Sequence, residues 1–411
     1  EQNITIRKNR VTAASTQIDV KTAKAALFPS LSFSTGHQVV NRPYQETSSR
    51  VSGSEIISSN SKTSYNGNYG LNASWTLYNG NKRLKTIQQE KLNNQVAELD
   101  VATSENNIQE SIAQVYIQIL YAAESVKVNE STLQVSIAQR DRGQELLNAG
   151  SIAKSDFAQL EAQVSTDRYQ LVTAQATLED YKLQLKQLLE LDGENEMNIY
   201  LPALSDENVL APLPTKKDVY ISALSLRPEI EASKLNVEAS ELGIGIAKSS
   251  YLPTISLSAG IGTNHTSGSD FTFGEQVKNG WNNSIGLSVS VPIFNNRQTK
   301  SAVQKAKLQY ETSMLSLLDE QKTLYKTIEG LWLDANSAQQ RYAAANEKLK
   351  STQISYELIS EQFNLGMKNT IELLTEKNNL LQAQQEQLQA KYMAILNTQL
   401  LKFYQGDQLA I

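Results

Sequence analysis

Two histidines, His37 and His265, and no cysteine make up the soft metal-ligand inventory of this 411-residue chain. Both histidines fall in or beside polar loops, at matching places in the two halves. A metal centre needs more ligands than two imidazoles, so surface histidines are the simpler reading. Gly243-Ile244-Gly245 lacks the third glycine and the preceding strand of a dinucleotide loop, and reads instead as an allowance for close helix packing. No phosphate-cradling loop ends in Lys-Ser or Lys-Thr. Serines are plentiful, but the two loop histidines make no nucleophile–base set with them. The carboxylates are scattered over helical stretches, where such groups are usually solvated. The chain therefore offers no catalytic, cofactor-binding or metal-ligating residue, and an enzyme is not expected.

The charge and composition narrow the class further. The net charge is −5, which gives no basic footprint for nucleic acid. Missing cysteine excludes disulfide and thiolate–metal chemistry and suits an oxidising envelope compartment. Hydrophobic residues make up 40% and aromatics 7%, too few for a large dry core. No run approaches the roughly 18 apolar residues of a membrane helix. No signal peptide is visible, and Glu1-Gln2-Asn3-Ile4 reads as mid-helix, so the chain is expected to begin after a removed segment.

What organises the chain is an internal repeat. Ala23-Lys24-Ala25-Ala26-Leu27-Phe28-Pro29-Ser30-Leu31-Ser32-Phe33 returns as Ala247-Lys248-Ser249-Ser250-Tyr251-Leu252-Pro253-Thr254-Ile255-Ser256-Leu257. Leu71 to Gly80 returns as Leu287 to Asn296. Each copy predicts a helix, a proline corner, two alternating strands and a long polar helix. The first repeat spans 1–191 and the second 216–411. A connector at 192–215 carries Asp-Gly and several prolines, and helix resumes near Lys216, with Arg227-Pro228-Glu229 as a restart.

The strands are expected at about 30–40, 65–78, 254–263 and 281–294. Tyr65, Tyr69, Leu71, Ala73, Trp75 and Leu77 alternate with Asn66, Asn68, Gly70, Asn72, Ser74 and Thr76. Ile285, Leu287, Val289, Val291 and Ile293 alternate with Ser284, Gly286, Ser288, Ser290 and Pro292. Period two sends the two sets to opposite faces. One face is small and uncharged, as a watery lumen needs, and the other suits lipid. Tyr65, Trp75, Tyr78, Trp281 and Phe294 sit near strand ends, like an interfacial girdle. Four strands are too few to close a barrel, for which about eight are the minimum. An open edge is not tolerated in hydrocarbon. Strands that cross a membrane here must therefore be pooled between chains, and three chains would supply about a dozen. The segments 41–64 and 264–280 read as polar outward loops or linkers.

The helices follow a heptad period. Ile108, Ile112, Val115, Ile119, Ala122 and Val126 form one seam between about Lys82 and Leu147, a length of roughly 100 Å. Gly150 and Ser151 break it. Leu160, Val164, Leu171, Ala174, Leu178, Tyr181, Leu185 and Leu188 resume it, with Asp167 in the gap. The second long helix starts near Gln298 and breaks at Gly366-Met367. Leu374, Leu381, Leu388 and Ile395 then step one heptad apart. Each half thus predicts a helical hairpin, turning near 150 and near 366.

In order and duplication these features resemble the TolC-type outer-membrane efflux family over nearly the whole chain. The matching parts are the corners Phe28-Pro29 and Leu252-Pro253 and the exits Tyr78-Asn79-Gly80-Asn81 and Pro292-Ile293-Phe294-Asn295. Arg227-Pro228-Glu229 and both hairpin glycines match too. The resemblance implies an α+β membrane protein: a homotrimer whose twelve-stranded β-barrel, four strands per chain, continues into a long α-helical coiled-coil periplasmic tunnel. It implies the outer membrane of a Gram-negative bacterium, with the protein extending into the periplasm. The implied role is the exit duct of a tripartite efflux pump or type I secretion system, with outer-membrane lipid, a periplasmic adaptor and an inner-membrane transporter as partners. It also implies a gate at the hairpin tips: Ser155 and Asp156 as latch, with Phe363 in place of a family tyrosine and Lys368 in place of an arginine. Glu372 falls at a first constriction ring. Thr375 falls at a second, which is lost or moved to Glu376. Gly150, Ser151, Gly366 and Met367 would meet the adaptor. The rival reading from the periodicity alone is a non-conducting structural coiled coil of the envelope.

Overall fold

A computed structural model describes residues 2–44, 48–52, 55–59, 62–191, 199–200, 209–267, 269 and 271–409. The first half comprises α1 (Ile4–Ala25), β1 (Ser30–Asn41), β2 (Ser48–Ser52), β3 (Glu55–Ser59), β4 (Thr63–Asn79), α2 (Lys82–Asn148) and α3 (Lys154–Leu188). The second comprises α4 (Lys216–Leu226), α5 (Pro228–Ser249), β5 (Thr254–Thr266), α6 (Phe273–Asn279), β6 (Asn282–Ser290), α7 (Gln298–Asn364) and α8 (Thr370–Gln405). The matching helices agree in length: 67 residues in both α2 and α7, and 35 and 36 in α3 and α8. Two compact units each draw on both halves: 14–96 with 234–315, and 1–13 with 97–233 and 316–411. Among the described residues no helix is long and apolar enough to cross a membrane.

The unit of 14–96 and 234–315 holds an antiparallel sheet of order β1-β4-β5-β6. Its register sorts residues by face. Leu31 pairs with Ala73, Ala73 with Ala259, and Ala259 with Ile285. In the adjacent row Ser32 pairs with Asn72, Asn72 with Gly260, and Gly260 with Ser284. Large apolar side chains are left bare on one face: Leu31, Phe33, Ile285 and Leu287 are each at least 65% exposed. The expected alternation holds, with three differences. A bulge between Thr76 and Tyr78 shifts the β4–β5 register at Leu77. The fourth strand is shorter than the expected 281–294, because Pro292 has no N–H to offer a ladder and the strand ends at Ser290. The segments expected as loops contain a β2–β3 hairpin with five residues in each strand and the short α6, which is capped by Thr272 and Glu275. Residues 45–47, 53–54, 60–61, 268 and 270 of these segments lie outside the described set, as do 192–198 and 201–208 of the connector.

Pro29 and Pro253 each follow a helix and precede a strand. The amides before them, Phe28 N and Leu252 N, donate to Ala25 O and Ser249 O at 3.0 Å. Both strand-to-helix exits pass through two consecutive left-handed residues, Gly80 and Asn81 in one half and Asn296 and Arg297 in the other. At Gly80 a Cβ would come 2.8 Å from Ser249 O, so the corner excludes larger residues. Gly243-Ile244-Gly245 lies inside α5, where Lys85 Nζ donates to Gly245 O and Gln89 Nε2 to Ala239 O, the close helix packing expected of it.

In the other unit, burial is divided into clusters along the helices. One joins Val219, Ala223 and Ile230 to Leu324, Ile328, Ala335, Leu401 and Tyr404. A second packs Ile117 and Leu120 against Val209, Tyr342 and α8. Ile117 and Leu120 lie beside the expected seam of Ile119 and Ala122, so α2 buries more than one stripe there. At the end of the connector, Trp332 Nε1 and Gln339 Nε2 hold the carbonyls of Pro214, Val209 and Ala211.

Candidate gating site at the helical hairpins

Gly150 and Gly366 end α2 and α7 in the left-handed conformation, with φ of +72° and +74°. Gly150 N donates to Leu147 O and Ser151 N to Leu146 O; Gly366 N donates to Phe363 O and Met367 N to Gln362 O. This is the same double closure of a helix end in both halves, and it requires an αL residue at the glycine. A Cβ at either glycine would meet nothing, so backbone conformation alone selects glycine here. Leu365 and Met367 are 75% and 71% exposed, leaving an apolar tip on the second hairpin.

The next helix starts differ in their caps. Asn369 Oδ1 accepts from Glu372 N at 2.9 Å, and Asn369 N donates to Glu372 Oε2 at 3.3 Å, a reciprocal box. In α3, Ala153 N donates to Asp156 Oδ2 at 3.3 Å, but the alanine returns no side-chain bond. Lys368 Nζ donates to Glu372 Oε1 at 2.5 Å. That bond, with the Asn369 amide, holds the Glu372 carboxyl below its ordinary value. Among the described residues no bond joins Asp156 to Lys368; each is engaged within its own hairpin. Ser155 is exposed at the start of α3. Thr375 donates to Ile371 O along α8, while Glu376 Oε2 accepts from Ser355 of α7 at 3.0 Å.

Phe363 stands apart from these polar groups. It is 2% exposed and packs with Leu160 and Leu373, flanked by Leu146, Tyr356 and Leu374. The residue that replaces a hydroxyl in the expected latch is thus an apolar plug joining α7 to α3 and α8. Gly143 lets α3 approach: a Cβ there would be 2.3 Å from Leu160 Cδ1.

Sequence reasoning missed two polar constellations. Asp167, in the gap of the α3 seam, is 1% exposed and ion-paired with Lys377, itself 3% exposed. Arg227, at the helix restart, is buried, with Nη2 on Glu110 at 3.1 Å and Nε on Glu229 at 2.7 Å. Its guanidinium also lies 4.2 Å from the Tyr404 ring centre. Burial raises the Glu110 carboxyl and pushes the Tyr404 phenol up to about 12. A polar residue on a heptad seam was the visible signal for Asp167 and Lys377. Nothing in the sequence pairs Arg227 with Glu110.

The two histidines meet one glycine. His37 and His265 both pair with Gly67 of β4, and Tyr65 OH lies 2.5 Å from His37 Nδ1. Among the described residues no group of three or more His, Cys, Asp or Glu is placed to hold a metal ion.

The chain is 24% identical over 294 residues to outer membrane efflux protein BepC of Brucella suis, covering 71% of this chain and 61% of that protein. It is 23% identical over 311 residues to outer membrane protein TolC of Escherichia coli, covering 74% and 62%. The match therefore spans about three fifths of those relatives' length. Its fold is similar to that of the Campylobacter jejuni CmeC outer membrane channel, with a TM-score of 0.80 at 17% identity, covering 100% of this chain and 85% of that one. The outer membrane efflux protein family model matches residues 1–190 and 219–406, and the chain belongs to that family.

Proposed function

We propose that this chain is one subunit of a passive exit duct in the outer membrane of a Gram-negative bacterium, extending into the periplasm. One observation carries the reading: a four-stranded sheet with a bare apolar face and unpaired edges at β1 and β6 is joined in one chain to two 67-residue helices. In hydrocarbon such edges must be closed by further copies. Three copies make a twelve-stranded barrel with the small polar rows inside, and their helices continue the path as a twelve-helix tunnel. The repeats 1–191 and 216–411, joined by 192–215, supply two strands and one hairpin each.

The duct performs no chemistry and carries no cofactor. An inner-membrane transporter supplies the energy of an efflux or type I secretion system. A periplasmic adaptor meets the tips at Gly150, Ser151, Gly366 and Met367. The adaptor opens them only by binding the open form more tightly than the closed one. Asp156 and Ser155 with Lys368 form the polar part of the latch, Phe363 its apolar part, and Glu372 with Thr375 and Glu376 the constriction. Repeated around the axis, Glu372 favours cations.

The test is reconstitution of the purified chain in planar bilayers, with its mass in detergent measured in parallel. Stepwise conductance from a trimer is expected. A folded, detergent-free monomer without conductance would leave the structural coiled coil as the better reading.

A further inference from the structure

Ser136, Asp167 and Lys377 form a buried polar cluster that none of the gate assignments above uses. Each stands on a buried helix stripe: Asn129, Leu133 and Ser136 in α2; Leu160, Val164 and Asp167 in α3; Leu373, Lys377 and Leu381 in α8. Lys377 Nζ donates to Asp167 Oδ2 and to Ser136 Oγ, and Ser136 Oγ donates to the same carboxylate oxygen. Gln163 Nε2 donates to Asp167 Oδ1 at 2.8 Å, so both oxygens are met. Burial lowers the Lys377 ammonium from its ordinary value, and Asp167 opposes that shift.

An ion pair on a seam stabilises a bundle less than well-packed leucines do, but it tolerates far less displacement. Apolar side chains slide past one another with partial loss of contact. An ammonium and a carboxylate moved apart in apolar surroundings lose both partner and water at once. The pair therefore specifies one register of α8 against α2 and α3. These are the helices that carry the hairpin tips: α3 and α8 follow the turn glycines, and Lys377 lies about 7.5 Å along α8 beyond Glu372, at 1.5 Å per residue.

We propose that Ser136, Asp167 and Lys377 are the register lock of the closed hairpins, positioning residues for the gate rather than part of its lumen. Opening is then a two-state event in which the cluster separates and takes up water. This rests on the exit-duct reading.

The full chain is reconstituted in planar bilayers as wild type, Ser136→Ala, Lys377→Met and Asp167→Leu/Lys377→Met. Lys377→Met strands a carboxylate in the closed form and is expected to raise open probability at least about tenfold. Ser136→Ala strands no charge, keeps the protein folded if Lys377→Met fails, and is expected to raise it by a smaller factor. The apolar double variant strands no charge but can slide, and is expected to open less than Lys377→Met and more than wild type. A wild-type chain that never conducts removes the duct reading and the lock with it. A conducting wild type matched by Ser136→Ala and by any folded Lys377→Met removes the lock alone. So does a double variant at the wild-type closed level, because apolar packing would then hold the register as well as the pair does.

Discussion

Asp156 and Glu372 occupy one position in two hairpins: each lies six residues past its turn glycine (150 to 156, 366 to 372) and accepts a bond from the amide three residues before it. The sequence reading gave them separate roles, latch and ring, whereas the backbone treats them as equivalents. They differ in what precedes them. Asn369 returns a side-chain cap to α8, and Ala153 returns none to α3. Ala153→Asn should therefore stabilise the start of α3 by about 1 kcal/mol, the usual effect of adding an N-cap. Slower amide hydrogen exchange over the first turn of α3 would be the sign. Unchanged exchange would mean that the turn is held by packing alone.

Glu372 is the better test of ion selectivity. Lys368 and the Asn369 amide hold its carboxyl below the ordinary 4.5, so the charge persists as pH falls and is lost only below that value. Cation preference should stay flat from neutral pH down to about 5 and decline below 4.5. Glu372→Gln should move the reversal potential toward zero at every pH. Lys368→Glu removes the bond and adds a like charge, so its preference should decline at higher pH than that of the wild type. Reversal potentials for Glu372→Gln that match the wild type would remove the constriction role.

Phe363 and Leu373 pack together with Leu160, so the proposed seal at the tips is an apolar one. Phe363→Ala should cost about 3–5 kcal/mol of local stability, as expected for a buried aromatic side chain. It should also raise adaptor-free conductance more than Lys368→Glu does. Phe363→Tyr restores the hydroxyl of the expected latch, but places it beside Leu160 and Leu373 rather than Asp156. It should therefore weaken closure. Tighter closure of that variant would show that the ring swings out toward Asp156.

The long elements were legible because each carries a period over many residues. Leu31, Phe33 and Ile285 declare a strand face by alternation, and Leu374, Leu381 and Ile395 declare a seam by heptads. Gly150 and Gly366 declare the breaks because αL backbone selects glycine. The tertiary polar contacts were not legible. Asp167 and Lys377 are 210 residues apart in sequence, and an acid on a helix looks solvated until its neighbour is known. The end of β6 was misplaced because Val291 and Ile293 continue the alternation across Pro292, which the ladder cannot follow.

Arg227 gives the last prediction, because its cluster holds two carboxylates to one guanidinium. Glu110 and Glu229 both bond it, and Glu229 Oε2 is buried with no bond of its own. Arg227→Met would leave both carboxylates unpaired, and losing one partner of a buried pair costs about 3–5 kcal/mol. Burial already raises Glu110. A carboxyl whose folded value lies above its unfolded one contributes stability at low pH and loses it as pH rises. Removing the arginine deletes the main opposing charge and raises Glu110 further. The variant should therefore melt well below wild type at pH 8 and recover much of the difference at pH 5. Arg227→Lys keeps the charge but not the fork or the stacking on Tyr404, so it should fall between the two. Equal melting deficits for Arg227→Met at pH 5 and pH 8 would mean that lost packing, and not unpaired charge, is what the arginine prevents.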